Sequence, residues 1–171
     1  MQTVGEGVAS LKAAFPGEIL GESAFRDQTA VWVRPARILD ILRFLKSPAG
    51  GDFTHLSDVC GVDYLGQDDK PERFAVAYHL YSRSGNAWLR ISAFLPETDP
   101  VVDSAHEIFR SAPWAEREAY DMYGIRFRNH PDLRRILMPE DYPGHPLRKD
   151  YPLKGRGERD NFPRYRPVED V

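Results

Sequence analysis

The sequence predicts an α+β fold: a two-layer structure with a mostly antiparallel sheet of about five strands, helices packed on one face, and a long extended C-terminal arm. Three observations point there. Residues 74–81 (FAVAYHLY) and 87–95 (AWLRISAFL) are β-rich runs separated by a short polar loop, the pattern of a hairpin. Apolar residues recur at helical spacing in four other stretches, and stacking such stripes on one sheet face is the economical way to bury them. From residue 126 onward the periodicity fades, and seven of the 14 prolines lie there.

Taken in order, residues 8–15 form a short amphipathic helix, with Val8, Leu11 and Phe15 at helical spacing and Pro16-Gly17 stopping it. Residues 17–25 contain a strand, Arg26-Asp27 turns the chain, and residues 29–33 (TAVWV) pair back as a hairpin. Pro35 stands where a helix begins, and residues 37–45 place Ile38, Leu39, Ile41, Leu42 and Leu45 on one broad face. Residues 53–64 read as a strand bent at Gly61. Beyond the central hairpin, residues 101–110 are expected to be helical, with Val102, Ala105, Ile108 and Phe109 inward. Ser111 is expected to cap a further helix over residues 114–123, closed by Gly124.

Three segments result: an α+β domain over 1–125, an irregular Pro- and Arg-rich segment over 126–153, and an extended tail over 154–171. The tail is too poor in apolar residues to form a core and is expected to order only on a partner. The charge is divided along the chain. Residues 1–125 carry 12 basic and 18 acidic side chains, and residues 126–171 carry 11 and 8. An acidic body therefore bears a basic arm suited to docking.

Composition excludes several function classes. A net charge of −3 argues against a nucleic-acid binder. Cys60 is the single cysteine, so there is no internal disulfide, multi-Cys zinc site or Cys-ligated iron–sulfur cluster, and the residue itself reads as a small buried apolar group. No stretch suits a membrane span or a signal peptide, which points to a soluble, cytoplasmic protein. There is no G-x-S-x-G, Walker or G-x-G-x-x-G motif. His79 reads as a packed strand residue.

The chemistry gathers in residues 116–153, EREAYDMYGIRFRNHPDLRRILMPEDYPGHPLRKDYPL. Arg117 and Asp121 are four apart and able to pair along the helix surface. Glu118 and Asp121, three apart, share a face. They are either a general acid–base pair or partners for the arginines that follow, and the density of Arg126, Arg128, Arg134 and Arg135 favours the second. His130, Asp132 and His145 offer two imidazoles and a carboxylate to a metal. Neither histidine lies on a regular element, however, and their spacing matches no standard site. Hydrogen bonds to backbone carbonyls are the more economical role.

This stretch resembles the signature of the 30-kDa subunit family, the C subunits of bacterial NADH:quinone oxidoreductase (respiratory complex I). The pattern runs Glu116-Arg117-Glu118, then Asp121, Met122 and Tyr123, then His130, then Arg134, Ile136 and Leu137, and continues through 143–153 (PGHPLRKDYPL). Relatives often have Gly where Asn129 stands. The residues this resemblance marks as signature or interface are Glu116, Arg117, Glu118, Asp121, Gly124, His130, Pro131, Arg134, Arg135, His145, Arg148, Lys149 and Asp150.

The resemblance implies a hydrophilic, non-catalytic subunit of the peripheral arm, on the cytoplasmic face of the bacterial inner membrane. The complex carries electrons from NADH to quinone, pumps protons, and holds FMN and iron–sulfur clusters, none of them bound by this chain. Implied partners are the large quinone-cavity subunit and the iron–sulfur subunits, with no nucleic acid and no membrane span. Related plastoquinone- or F420H2-linked dehydrogenases and membrane-bound hydrogenases share a similar signature and form the alternative. The rival from another class is a stand-alone metal-dependent enzyme using His130, Asp132 and His145.

Overall fold

The computed structural model describes residues 4–26 and 28–158. Helix α1 (Val4–Ala14) is followed by the antiparallel hairpin β1 (Ile19–Phe25) and β2 (Gln28–Val33). A 3-10 turn at Pro35–Arg37 leads into α2 (Ile38–Lys46), which buries Ile38, Ile41, Leu42 and Leu45 while Leu39 stays at its margin. Three strands follow, β3 (His55–Asp63), β4 (Phe74–Ser82) and β5 (Ala87–Leu95). The sheet order is β1-β2-β5-β4-β3, antiparallel throughout except where β2 runs parallel to β5. That arrangement is the expected α+β class.

Register explains the two layers. Val31, Ile91, Tyr78 and Val59 lie in one row across four strands and are all buried, so this face carries the helices. The neighbouring row, Arg90, His79 and Asp58, faces the other way beside the half-exposed Trp88. Strand β3 differs from expectation. It runs straight through Gly61, and its irregularity is a register shift between Leu56 and Asp58. One extra residue flips side-chain parity, so Val59 and Asp63 point inward where simple alternation from Leu56 would put Asp58 and Val62.

Gly61 serves a different purpose from a bend. A Cβ there would sit 2.4 Å from Tyr123 Cδ2, so the bare backbone is what lets the last turn of the third helix lie against the sheet. Gly61→Ala is expected to cost about 1–3 kcal/mol through overpacking. Denaturant unfolding checks this, and an unchanged midpoint would show that Tyr123 moves aside freely.

Residues 101–110 are not helical. Val101–Asp103 forms strand β6, paired in parallel with β7 (Arg126–Arg128), with Val102 opposite Phe127. A single turn closed by the Ile108 and Phe109 N–H groups on Ala105 O follows. The inward set Val102, Ala105, Ile108 and Phe109 is buried as expected, but tertiary contacts replace the helix. The Ser104 hydroxyl and the Ala105 N–H donate to the Glu116 carboxylate, and Val-Val suits a strand. Ser111 likewise departs from its expected cap: its hydroxyl donates to Leu56 O at 3.1 Å. Helix α3 (Ala112–Tyr123) begins without a side-chain cap and has Pro113 in its first turn.

On the outer sheet face Cys60 is half-buried rather than a core residue. Its thiol donates to Asp58 at 2.9 Å, and burial together with that carboxylate pushes its pKa up to about 12. His79 is held below the usual imidazole range, by burial first and then by Arg90, with Asp58 opposing. The unfolded chain therefore takes up a proton before the folded one does, and this group removes stability as pH falls from about 6.5 through its folded pKa. Between about pH 7.5 and pH 5.5 the wild type should lose more thermal stability than His79→Gln. Parallel slopes for the two proteins would refute this.

Candidate functional site

Helix α3 ends on Gly124 at φ 74°, a left-handed cap whose N–H donates to Tyr120 O at 2.8 Å. The glycine is required twice over. A Cβ there would lie 2.6 Å from both His145 Nε2 and Arg148 Nη2, so the returning arm presses directly on the helix terminus. The chain leaves through β7, then turns at Asn129, which adopts φ 60°. Asparagine tolerates this region better than most residues with a side chain.

Asp121 is the hub. It is completely buried, with Oδ1 accepting from Arg135 Nη1 at 2.7 Å. Oδ2 accepts three successive backbone N–H groups, those of Ile136, Leu137 and Met138, at 2.8–3.0 Å. Burial alone would raise this carboxyl's pKa. The Met138 N–H, the Arg135 guanidinium and the Leu137 and Ile136 N–H groups outweigh it and hold the pKa below the usual range. Arg135 extends the hub, donating to Gly144 O at 3.1 Å and Tyr142 O at 2.9 Å. Arg117 does not pair with Asp121. It stacks on Trp114 and donates to the Arg134 and Arg135 carbonyls.

Glu116 forms a second buried centre on the opposite side of α3, receiving the Ser104 hydroxyl and the Ala105 N–H. Burial raises its pKa, with those two donors and then His130 opposing. His130 Nδ1 accepts the Asp132 N–H at 3.0 Å, so Nε2 carries the proton and donates to Pro113 O at 3.1 Å. Its Nε2 lies 3.9 Å from Glu116 Oε2. Both ring nitrogens are thus engaged inside the fold.

Glu118, on the exposed side of α3, does not join Asp121 in a carboxylate pair. Asp132 pairs with Arg134 at 2.9 Å, and both side chains are more than half exposed. Pro131 is exposed beside them. His145 donates Nδ1–H to Asp121 O at 2.9 Å. The three residues weighed as a metal set are therefore spent on separate partners. Among the described residues no group of three or more His, Cys, Asp or Glu is placed to hold a metal.

A third anchor was not anticipated from the sequence. Arg73 reaches Asp63 at 3.0 Å, Glu97 at 2.5 Å and Asp150 at 2.9 Å, with its own side chain 8% exposed. Asp63 also accepts the Lys149 N–H at 2.9 Å, so the end of β3 holds the arm. Arg148 donates Nε–H to Tyr123 O at 2.7 Å and lies over the Phe74 ring. The one available signal was an aspartate at the end of an expected strand, and the β3 bulge concealed its inward direction.

The arm is thus pinned at three places, through its backbone at Asp121 and Asp63 and through the His130 side chain beside Glu116, while several apolar side chains point out. Leu137 is 56% exposed, Leu147 51% and Ile136 37%, and Trp114 stands nearby on α3 at 64%. The tail from residue 159 lies outside the described residues. No described helix is long and apolar enough to cross a membrane.

Residues 31–157 match the family model described as respiratory-chain NADH dehydrogenase, 30 Kd subunit. The chain is 48% identical over 148 residues to the C subunit of NADH-quinone oxidoreductase from Citrifermentans bemidjiense, covering 86% of this chain and 89% of that protein. It is 46% identical over 148 residues to the protein of the same name from Geobacter sulfurreducens, with the same coverage. Among solved structures it resembles the trypsin-resistant fragment (1-134) of Nqo5, with a TM-score of 0.61 and 32% identity over 74% of this chain and 95% of that one. A chain of an archaeal membrane-bound sulfane sulfur reductase shares the fold, with a TM-score of 0.73 at 20% identity, covering 95% of this chain and 94% of that one. The buried carboxylates, the arginines they hold and the arm they anchor all fall within or beside the matched residues, and the chain belongs to the 30-kDa subunit family of respiratory-chain NADH dehydrogenases.

Proposed function

We propose that this chain is a non-catalytic subunit of the peripheral arm of a proton-pumping NADH:quinone oxidoreductase, docking on and bracing the large subunit that forms the quinone cavity. The observation that carries this reading is the contrast at residues 136–138. Their N–H groups are all drawn inward to Asp121, while Ile136 and Leu137 project into solvent. A rigid backbone presenting apolar side chains is what a docking surface needs, because little entropy is lost on binding. The names of the relatives and the family resemblance supply the complex and the partner.

On this reading residues 1–125 are the body, 126–153 the clasp and 154–171 the extension onto the neighbour. Glu116, Arg117, Asp121, Gly124, His130, Arg135, His145 and Arg148 brace the clasp internally. Glu118, Pro131, Arg134, Lys149 and Asp150 lie at the exposed surface. FMN and the iron–sulfur clusters belong to other subunits, consistent with one cysteine in the whole chain and with His130 being bonded through both nitrogens. The cytoplasmic face of the inner membrane is the corresponding location.

Co-purification with the large subunit tests the proposal. The double substitution Leu137→Asp and Leu147→Asp should leave the thermal midpoint of the free chain unchanged yet remove the large subunit from pull-downs. Full retention of that subunit by a folded variant would defeat the docking reading.

A further inference from the structure

The arm from residue 126 to residue 156 carries six arginines. Four face a carboxylate of this chain: Arg126 on Asp99, Arg128 on Asp103, Arg134 on Asp132 and Arg135 on Asp121. Arg148 and Arg156 form no ion pair among the described residues. Arg148 spends one N–H on the Tyr123 carbonyl and lays its plane over Phe74 at 5.0 Å. Arg156 rests on the Tyr151 ring at 5.3 Å.

Both of these arginines line one cavity of about 370 Å³, together with Arg135, His145, Asp150 and Tyr151. The two acidic groups described at this cavity are already engaged. Asp150 is turned to Arg73 at 2.9 Å, and both Glu158 oxygens are taken by the Tyr151 hydroxyl and the Arg156 N–H. His145 adds no charge here. Its Nδ1–H is given to Asp121 O, and burial keeps the ring below the usual imidazole range.

We propose that this cavity receives a carboxylate side chain, an Asp or Glu of the subunit that the arm docks on. The proposal rests on the docking reading above and names the chemistry of its partner. Arg148 is a half-buried guanidinium whose two terminal nitrogens have no hydrogen-bond partner among the described residues, and that fork matches the plane of a carboxylate. The favourable energy comes from pairing a charge that the fold has already partly desolvated. A broad anionic membrane surface fits less well. Asp150 and Glu97 stand half-exposed or more at this end of the molecule, and residues 1–125 carry a net excess of acid. One recessed carboxylate needs no wide basic field.

The test uses zero-length crosslinking in the assembled complex. Arg148→Lys and Arg156→Lys each place an amine at the cavity, and a water-soluble carbodiimide joins it to a carboxylate in contact. The wild-type complex controls for Lys149. The expected result is a new amide between the introduced amine and an Asp or Glu of another subunit, identified by mass spectrometry. Crosslinks confined to this chain's own acidic residues, those of 159–171 included, or no new crosslink, would overturn the proposal.

Arg156→Glu supplies the second arm, because Arg156 is exposed and braces nothing in the body. It should weaken co-purification roughly thirtyfold or more. If Arg156→Glu docks normally while the Leu137→Asp and Leu147→Asp variant fails to, the docking surface stands and the carboxylate pocket falls. Binding of the full-length wild-type chain to vesicles rich in anionic phospholipid, abolished by Arg156→Glu, would assign the pocket to a lipid phosphate instead.

Discussion

Asp121→Ala should destabilise the protein by about 3–5 kcal/mol, the scale for removing one partner of a buried ion pair. The loss goes beyond one pair. The Arg135 guanidinium is left largely buried without its counter-charge, and the N–H groups of Ile136, Leu137 and Met138 lose their shared acceptor at once. Asp121→Asn should recover only part of this. The amide keeps one acceptor oxygen but turns an NH2 toward either the arginine or the backbone donors. Arg134→Ala is the control, since Arg134 and Asp132 are more than half exposed and such pairs contribute little. Urea unfolding at neutral pH measures the difference. Hydrogen exchange at residues 136–138 should accelerate in Asp121→Ala even where the body stays folded. Equal effects from Asp121→Ala and Arg134→Ala would show that the hub is not a hub.

Arg73→Ala is expected to rank second, at about 3 kcal/mol or more. One guanidinium satisfies Asp63, Glu97 and Asp150, and its loss leaves the Asp63 carboxylate buried with only the Leu65 and Lys149 N–H groups. Asp63 is held below the usual carboxylate range, against the effect of burial, by Arg73 and then by those N–H groups. Its stabilising contribution is therefore present above the ordinary carboxylate pKa and is lost as pH falls through the lowered value. Arg73→Ala should shrink this acid-side loss as well as the stability at neutral pH. Limited proteolysis gives a second measure, because the arm should detach near Lys149 and become cleavable while the sheet stays resistant. A variant that melts like the wild type and resists cleavage would remove Arg73 from the anchoring set.

The central hairpin was legible because both strands carry long β-rich runs, and α2 because its apolar residues keep helical period from end to end. The segment 101–110 departs from the helix that its spacing predicts. Val102, Ala105, Ile108 and Phe109 satisfy a helical count and are all buried. Yet a strand followed by one turn buries the same four residues, and periodicity cannot distinguish the two. What selected the strand is the Glu116 carboxylate 11 residues away, which takes the N–H of Ala105, together with the parallel partner β7.

The signature segment was legible as chemistry but not as geometry. Its composition marked a gathering of arginines, carboxylates and prolines, and its spacing marked the family. Which arginine meets which carboxylate was not available from spacing. Arg117 and Asp121 stand in the right relation along the helix to pair, but the returning arm offers each a better partner. Arg134 and Arg135 are adjacent and chemically identical. One is exposed and the other lies at the hub, because successive residues of an irregular chain point in different directions.

By itself, then, the sequence determined the class of fold, the family, and the region where polar chemistry concentrates. These depend on local propensity, on composition and on residue order, all of which can be read along one dimension. Only the tertiary structure decided the β3 bulge that turns Asp63 inward, the triple anchor on Arg73, and the division of residues 116–153 into bracing and outward-facing groups. Those outcomes depend on which segments distant in sequence compete for the same buried hydrogen-bonding groups, and that competition is settled when the chain packs.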